Sequence, residues 1–153
     1  MFSVTVVADS LSVDSREPLF VAGKVWVTIS HADFPERDWT DSPLSVIGSM
    51  GAAVRDYLTG ETGDVYFFEG PYLVRLASDP SDDSRVVVSG IYDGPKPIVN
   101  SEGEGTVEVH VSVPLQNVID SYGAALRAVE EWASLNGEEQ VMSVLSRMER
   151  FAE

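Results

Sequence analysis

Apolar residues recur at two distinct spacings along this chain, and the switch between them outlines the fold. Phe2, Val4 and Val6 alternate with Ser3 and Thr5, which reads as a strand over 2–8. A polar stretch, Asp9 to Pro18, follows as turn material. Leu19 to His31 reads as a long second strand, with Leu19, Val21, Val25, Val27 and Ile29 on one face and Lys24, Thr28 and Ser30 on the other. Trp26 falls on the polar-facing side, and Gly23 marks a candidate bulge. The first two strands are expected to form a hairpin.

The spacing then changes. Val46, Ile47, Met50, Val54, Tyr57 and Leu58 recur at helical intervals behind Ser42-Pro43, where Ser42 suits an N-cap and Pro43 loses nothing at the first helical position. Gly60 is placed to end this helix in the left-handed region. Gly48 and Gly51 each cost it about 1 kcal/mol against Ala, a cost that makes sense where the helix lies close on a sheet.

Strand patterns return at 64–68, 71–78, 85–92 and 106–113, joined by Glu69-Gly70, by a polar turn at 79–84 and by a Gly- and Pro-rich loop at 93–105. The last is the most regular, Val107, Val109, Val111 and Val113 alternating with Glu108, His110 and Ser112, so a half-solvated antiparallel sheet is expected. Pro114 opens a helix carrying Leu115, Val118, Ile119, Tyr122, Leu126 and Val129 on one face. A final helix from Glu138 directs Val141, Val144, Leu145, Met148 and Phe151 inward, its acidic start and basic end (Arg147, Arg150) suiting the helix dipole. The expected architecture is α+β: an antiparallel sheet of about six strands, one helix inserted after strand 2, and two C-terminal helices packed on one face, in a single domain over 1–153.

Composition changes this picture in one respect. Hydrophobic residues make up 44% and charged residues 23%, ordinary for a globular chain, but 25 Asp and Glu face 10 Lys and Arg, a formal charge of −15. Such a field repels nucleic acid and anionic lipid and speeds encounter with basic partners; it also serves plain solubility. The absence of cysteine excludes disulfides, thiolate metal sites and a Cys nucleophile. The N-terminal MFSVTVVADS reads as neither a signal peptide nor a membrane span, so a cytoplasmic protein is expected.

Catalytic motifs are missing: there is no P-loop, no GxGxxG after a strand, no HExxH and no GxSxG. No cofactor or metal is expected. Asp79, Asp82 and Asp83 lack the ligand spacing of a calcium loop and read as a solvated turn. The informative stretch is DFPERDWTD, 33–41, where Asp33, Phe34, Glu36, Asp38, Trp39 and Asp41 mix large rings with carboxylates. That is the composition of a contact surface for a basic protein. The rings could equally tuck over the core and anchor the loop, and Trp26 and Tyr92 carry the same ambiguity. A catalytic or ligand-binding use would draw on His31, Asp33, Asp38 and Asp41. Self-association through an exposed sheet face and mimicry of DNA are further alternatives.

DFPERDWTDSPLSVIGSM followed by FFEGPYLVRL resembles a group of small bacterial α+β proteins with an acidic Trp loop, a helix and an aromatic strand, over roughly residues 30–78. In size and acidity these resemble immunity proteins of toxin systems. The resemblance implies a non-catalytic, cytoplasmic inhibitor whose partner is a basic toxin, for example a nuclease; it transfers no individual residue.

Overall fold

The computed structural model describes residues 1–14, 19–95 and 105–151. The chain runs β1 (Phe2–Val6), one 3-10 turn (Ala8–Ser10), β2 (Ser12–Asp14), β3 (Phe20–Ile29), β4 (Ala32–Phe34), β5 (Thr40–Asp41), α1 (Pro43–Leu58), β6 (Gly63–Tyr66), β7 (Tyr72–Asp79), β8 (Asp82–Tyr92), β9 (Thr106–Pro114), α2 (Leu115–Leu135) and α3 (Glu139–Ser146). The α+β class and the antiparallel pairing are as expected. The finer layout is not. Instead of one sheet of about six strands, the described residues form two, one of five strands and one of four. The helix enters after the fifth strand rather than the second, because the segment read as a loop pairs back onto β3 as β4 and β5. Two- and three-residue strands leave too little alternation to be seen in a sequence.

β3 is the hub of the first sheet: β1, β2, β4 and β5 all pair with it, antiparallel. The expected pairing of strands 1 and 2 is present as β1 on β3, with Val4 opposite Val27, although β2 intervenes in the chain. Gly23 is not at a bulge. It leaves room for Leu11, whose Cδ2 would stand 2.6 Å from a Cβ there, while Ser10 Oγ accepts the Lys24 amide at 2.8 Å. Val25, Trp26 and Val27 are consecutively buried, so this part of β3 is covered on both faces, and Trp26 is not on a solvated side.

The second sheet runs β6-β7-β8-β9. A register shift between Gly90 and Ile91 pairs Gly90 with Val109 but Ile91 with Val107. Glu108 is thereby left over, and a one-residue slip turns every later side chain to the other face. This is why Val113 is buried while Val107, expected on the same face, is 53% exposed.

α1 begins at Pro43 and closes through Thr59 and Gly60, which takes φ +95° as expected. Ser42, however, makes no side-chain cap; its hydroxyl donates to Ser45 Oγ at 3.0 Å. The helix glycines do not serve the sheet either. A Cβ at Gly51 would meet Tyr122 Oη at 2.8 Å, so that glycine admits the ring of α2, whose hydroxyl donates to the Glu149 carbonyl at 2.7 Å. Close approach of helix to sheet comes from the sheet side: any Cβ on Gly63 of β6 would collide with the backbone of Ala53. The Tyr66 amide, at the other end of β6, donates to Ser49 Oγ of α1 at 2.8 Å.

α1 lies against β3, β6 and β7; α2 lies against β1, β8 and β9 and carries α3. Pro114 is the N-cap of α2 rather than its first helical residue, and α3 stops at Ser146, before Arg147 and Arg150. Asn117 and Ser121 of α2 bond the backbone of Phe2: the Phe2 amide donates to Asn117 Oδ1 at 3.2 Å, and its carbonyl accepts from Asn117 Nδ2 and Ser121 Oγ. One cluster of buried apolar side chains draws on both sheets and all three helices.

Candidate functional site

The acidic, aromatic segment 33–41 is held at both ends by β3. Phe34 pairs with Val27 and Asp33 with Thr28; Asp41 pairs with Gly23 and Thr40 with Lys24. Residues 35–39 stand out between these two short ladders, with a cis peptide at Phe34-Pro35 and with Asp38 at φ +63°, a conformation Asp tolerates. The six candidate residues part company here.

Phe34 and Asp41 turn inward. Phe34 is 2% exposed, edge-on to Phe67 and Tyr72 at centroid distances of 6.2 and 5.6 Å. It lies over Gly90 of β8, where a Cβ would stand 2.9 Å from ring carbons, so it is a direct contact between the two sheets. Asp41 is 1% exposed. Its carboxylate accepts the Trp39 indole N–H at 2.8 Å, the Ser42 amide at 2.6 Å, the Phe68 amide at 3.0 and 3.2 Å and the Glu69 amide at 3.2 Å. A buried carboxylate needs such donors, and these fasten the β6–β7 connection to the start of α1. Neither residue can meet a partner in the folded chain, which corrects their placing in a contact surface.

Trp39 is half-buried. Its ring packs edge-on to Tyr72 at 5.5 Å and reaches Gly70, where a Cβ would stand 2.9 Å from Cη2. Asp33, Glu36 and Asp38 are exposed. Asp33 accepts from Thr28 Oγ1 at 2.9 Å, and Asp38 lies 3.7 Å from Lys24 Nζ, an exposed pair that contributes little. His31 is exposed as well. Among the described residues, no group of three His, Asp or Glu side chains is arranged to hold a metal ion.

Burial of Phe34 and Asp41 brings other residues to the surface beside Trp39. The Asp41 bonds set the 67–71 connection against the 35–39 loop, and the Asp93 amide donates to the Pro71 carbonyl at 2.7 Å, bringing a third segment alongside. Tyr72 meets Tyr92 at a centroid distance of 5.5 Å, which leaves Tyr92 half-buried. These adjoining segments carry exposed Phe68 (55%), half-buried Trp39 and the exposed acids Glu36, Asp38, Glu69 and Asp93, with Tyr66 (48% exposed) at the end of β6 beside them. Arg37 is also exposed in this loop. Phe68, Tyr66, Glu69 and Asp93 lie outside the stretch 33–41 that the sequence marks. For Phe68 there is a local signal: of two adjacent rings at a strand end, one must face out when Phe67 faces in. For Asp93 there is none, since only tertiary pairing places it. Between Tyr66, Phe67, Tyr72, Pro71 and Asp93 lies a cavity of about 100 Å³.

The other acidic cluster explains itself. Asp79 accepts from Ser112 Oγ at 2.6 Å, from Ser81 Oγ at 2.7 Å and from the Ser81 amide at 2.8 Å. Those bonds, Ser112 first, lower its pKa from the ordinary 3.8 to about 2. The folded value is the depressed one, so the associated stability is present above pH 3.8 and is lost as pH falls through 2. Ser112→Ala is expected to move the Asp79 titration midpoint up toward 3.8, followed by carboxyl-carbon NMR. The stability gap between parent and variant should close as pH falls through that window. An unchanged midpoint would contradict the assignment.

Among the described residues, no helix is long and apolar enough to cross a membrane. No family model, no curated protein and no solved structure matches this chain, so its function is argued from the chemistry of this surface.

Proposed function

We propose that the chain is a non-catalytic binding protein of the cytoplasm, an immunity-type inhibitor that occludes a basic toxin such as a nuclease. The observation that carries this reading is the approach of the 35–39 loop, the 67–71 connection and Asp93 to one another, segments that bear exposed Phe68, half-buried Trp39 and four exposed carboxylates. Large rings ringed by charge are the composition of an interface hot spot. The formal charge of −15 adds long-range attraction for a cationic surface. The mechanism is occlusion. Glu36, Asp38, Glu69 and Asp93 pair with the Lys and Arg residues that hold substrate phosphate in the partner, and Phe68 fills the cleft between them. Binding of this kind is fast and weakens with salt. Of the acids that a catalytic reading would need, Asp41 is buried and already accepts from four donors.

The test is retention of a basic protein from the native host's lysate on the immobilised chain at low salt, followed by affinity measurement on the purified pair. Phe68→Ala is expected to weaken binding by roughly 30-fold, the equivalent of about 2 kcal/mol at a hot spot. Raising salt is expected to slow association. Recovery of no basic protein, or a Phe68→Ala chain that binds as tightly as its parent, would refute the reading.

A further inference from the structure

We infer that the Asn136-Gly137 turn between α2 and α3 is a site of spontaneous deamidation, and that the modified turn no longer holds α3 firmly on α2. The inference is independent of the proposed contact surface.

The chemistry needs only water. The Gly137 amide nitrogen attacks Asn136 Cγ. An N–Cγ bond forms, the Cγ–Nδ2 bond breaks, and Nδ2 leaves as ammonia with the proton that the amide gives up. Water then opens the five-membered imide at one of its two carbonyls. One opening leaves an aspartyl side chain at position 136; the other leaves an isoaspartyl linkage, in which the main chain runs through Cγ. Gly137 suits the attack because it has no side chain to obstruct the nitrogen and turns freely about its backbone bonds. Asn136 and Gly137 are both exposed, and nothing lies within 4 Å of a Cβ built on Gly137. The other described asparagine, Asn117, has none of these features. It stands inside α2 ahead of β-branched Val118, and its side chain is bonded to both backbone groups of Phe2.

The folded turn holds the reacting groups apart. Asn136 is the C-cap of α2 at φ −104° and ψ 7°, which turns the Gly137 nitrogen away from the Cβ branch. The Gly137 amide donates to the Ser134 carbonyl at 3.3 Å, the Glu138 amide to the Ala133 carbonyl at 2.9 Å, and Asn136 Nδ2 to the Trp132 carbonyl at 2.8 Å. The two backbone bonds are the reciprocal pair that closes a helix over a left-handed glycine, here at φ +65°. Cyclisation therefore waits for this turn to open. Opening is local, because the turn is at the surface and the short α3 begins at Glu138 without a side-chain cap. The product cannot close the turn in the same way. A carboxylate at position 136 has no hydrogen to donate to the Trp132 carbonyl. It also adds negative charge at the negative end of the α2 dipole, in a stretch that already carries Glu130, Glu131, Glu138 and Glu139. The isoaspartyl linkage puts an extra carbon between the bonded amides and carbonyls. Val141 and Leu145, the buried residues of α3, are then held less firmly against α2.

The test holds the intact chain in warm neutral buffer beside a synthetic peptide of residues 134–139. Both are followed by peptide mass mapping and isoaspartyl-specific methylation. Asn136 is expected to convert in the chain, mainly to the isoaspartyl form, roughly ten-fold more slowly than in the peptide because the turn must open first. Asn117 is expected to stay intact. Asn136→Asp supplies the charge without the altered linkage and is expected to speed amide exchange in α3 about three-fold or more. An Asn136 that survives many peptide half-lives unchanged would overturn the site. Conversion as fast as in the peptide would overturn the opening step. Amide exchange in α3 that is the same in the parent, in Asn136→Asp and in the purified isoaspartyl form would overturn the loosening.

Discussion

Asp41→Ala is expected to destabilise the fold by about 3 kcal/mol, because it removes the one acceptor shared by the Trp39 indole N–H and the Ser42, Phe68 and Glu69 amides. The carboxylate accepts from one indole N–H and three backbone amides, drawn from the loop before α1, from the helix entry and from the β6–β7 connection. Its loss should appear as a lower urea midpoint with a normal slope. It should also appear locally, as faster amide exchange at Phe68 and Glu69 and a red shift of Trp39 emission once the indole is released. Asp41→Asn keeps one acceptor oxygen but turns an NH2 toward N–H donors, so its loss should fall between those of Ala and the parent. Unfolding of the Ala variant within about 0.5 kcal/mol of the parent, the range of neutral surface changes, would show that the carboxylate does not hold these segments together. Because the same bonds position the proposed contact surface, any residual folded Asp41→Ala chain should bind a partner more weakly than stability alone accounts for.

Phe34→Ala should cost a similar amount, about 3–5 kcal/mol, as a large buried ring leaves a cavity between two sheets. The contact with Gly90 gives a sharper test than the single variant. Gly90→Ala places a Cβ 2.9 Å from the Phe34 ring and 3.0 Å from Val109 Cγ1, a crowding that should cost about 1–3 kcal/mol. With Phe34 already reduced to Ala, most of that crowding is gone, so Gly90→Ala should cost much less in the double variant. A cycle that sums to zero would mean that the two residues are not in energetic contact. This pair matters for the candidate surface as well, since Phe34 packs edge-on to Tyr72, which in turn packs against Trp39.

The fate of 33–41 shows what a sequence conveys about a site. Its composition marked it as unusual, and it does lie at the centre of the candidate surface. Which members face a partner was not legible. Phe34 and Trp39 look alike in sequence, yet one is buried between sheets and the other only half covered. Asp41 looks like Asp38, yet it is sealed beneath backbone donors that arrive from 27 and 28 residues away. Phe68 and Asp93 belong to the surface because hydrogen bonds to Asp41 and Pro71 bring them there, and no local pattern encodes those bonds. The glycines carry the same lesson. The local pattern suggests Gly48 and Gly51 as relief for a sheet, but the relief at Gly51 is for Tyr122, and the sheet's own relief is Gly63.

Properties that depend on neighbours along the chain were settled by the sequence alone: the α+β class, the antiparallel pairing, the three helices of the described residues with their main apolar faces, the end of α1 at Gly60, and a strongly acidic net charge. Periodicity and backbone preference act over a few residues, so they survive being read one segment at a time. Properties that depend on residues distant in the chain were decided only in three dimensions. These are the division into two sheets, the slip that turns Val107 outward, the inward turn of Phe34 and Asp41, and the approach of the 35–39 loop, the 67–71 connection and Asp93 to one another. The physical reason is that burial and hydrogen bonding are pairwise. A carboxylate is buried or exposed according to the donors it meets, and those donors come from segments whose positions only packing establishes.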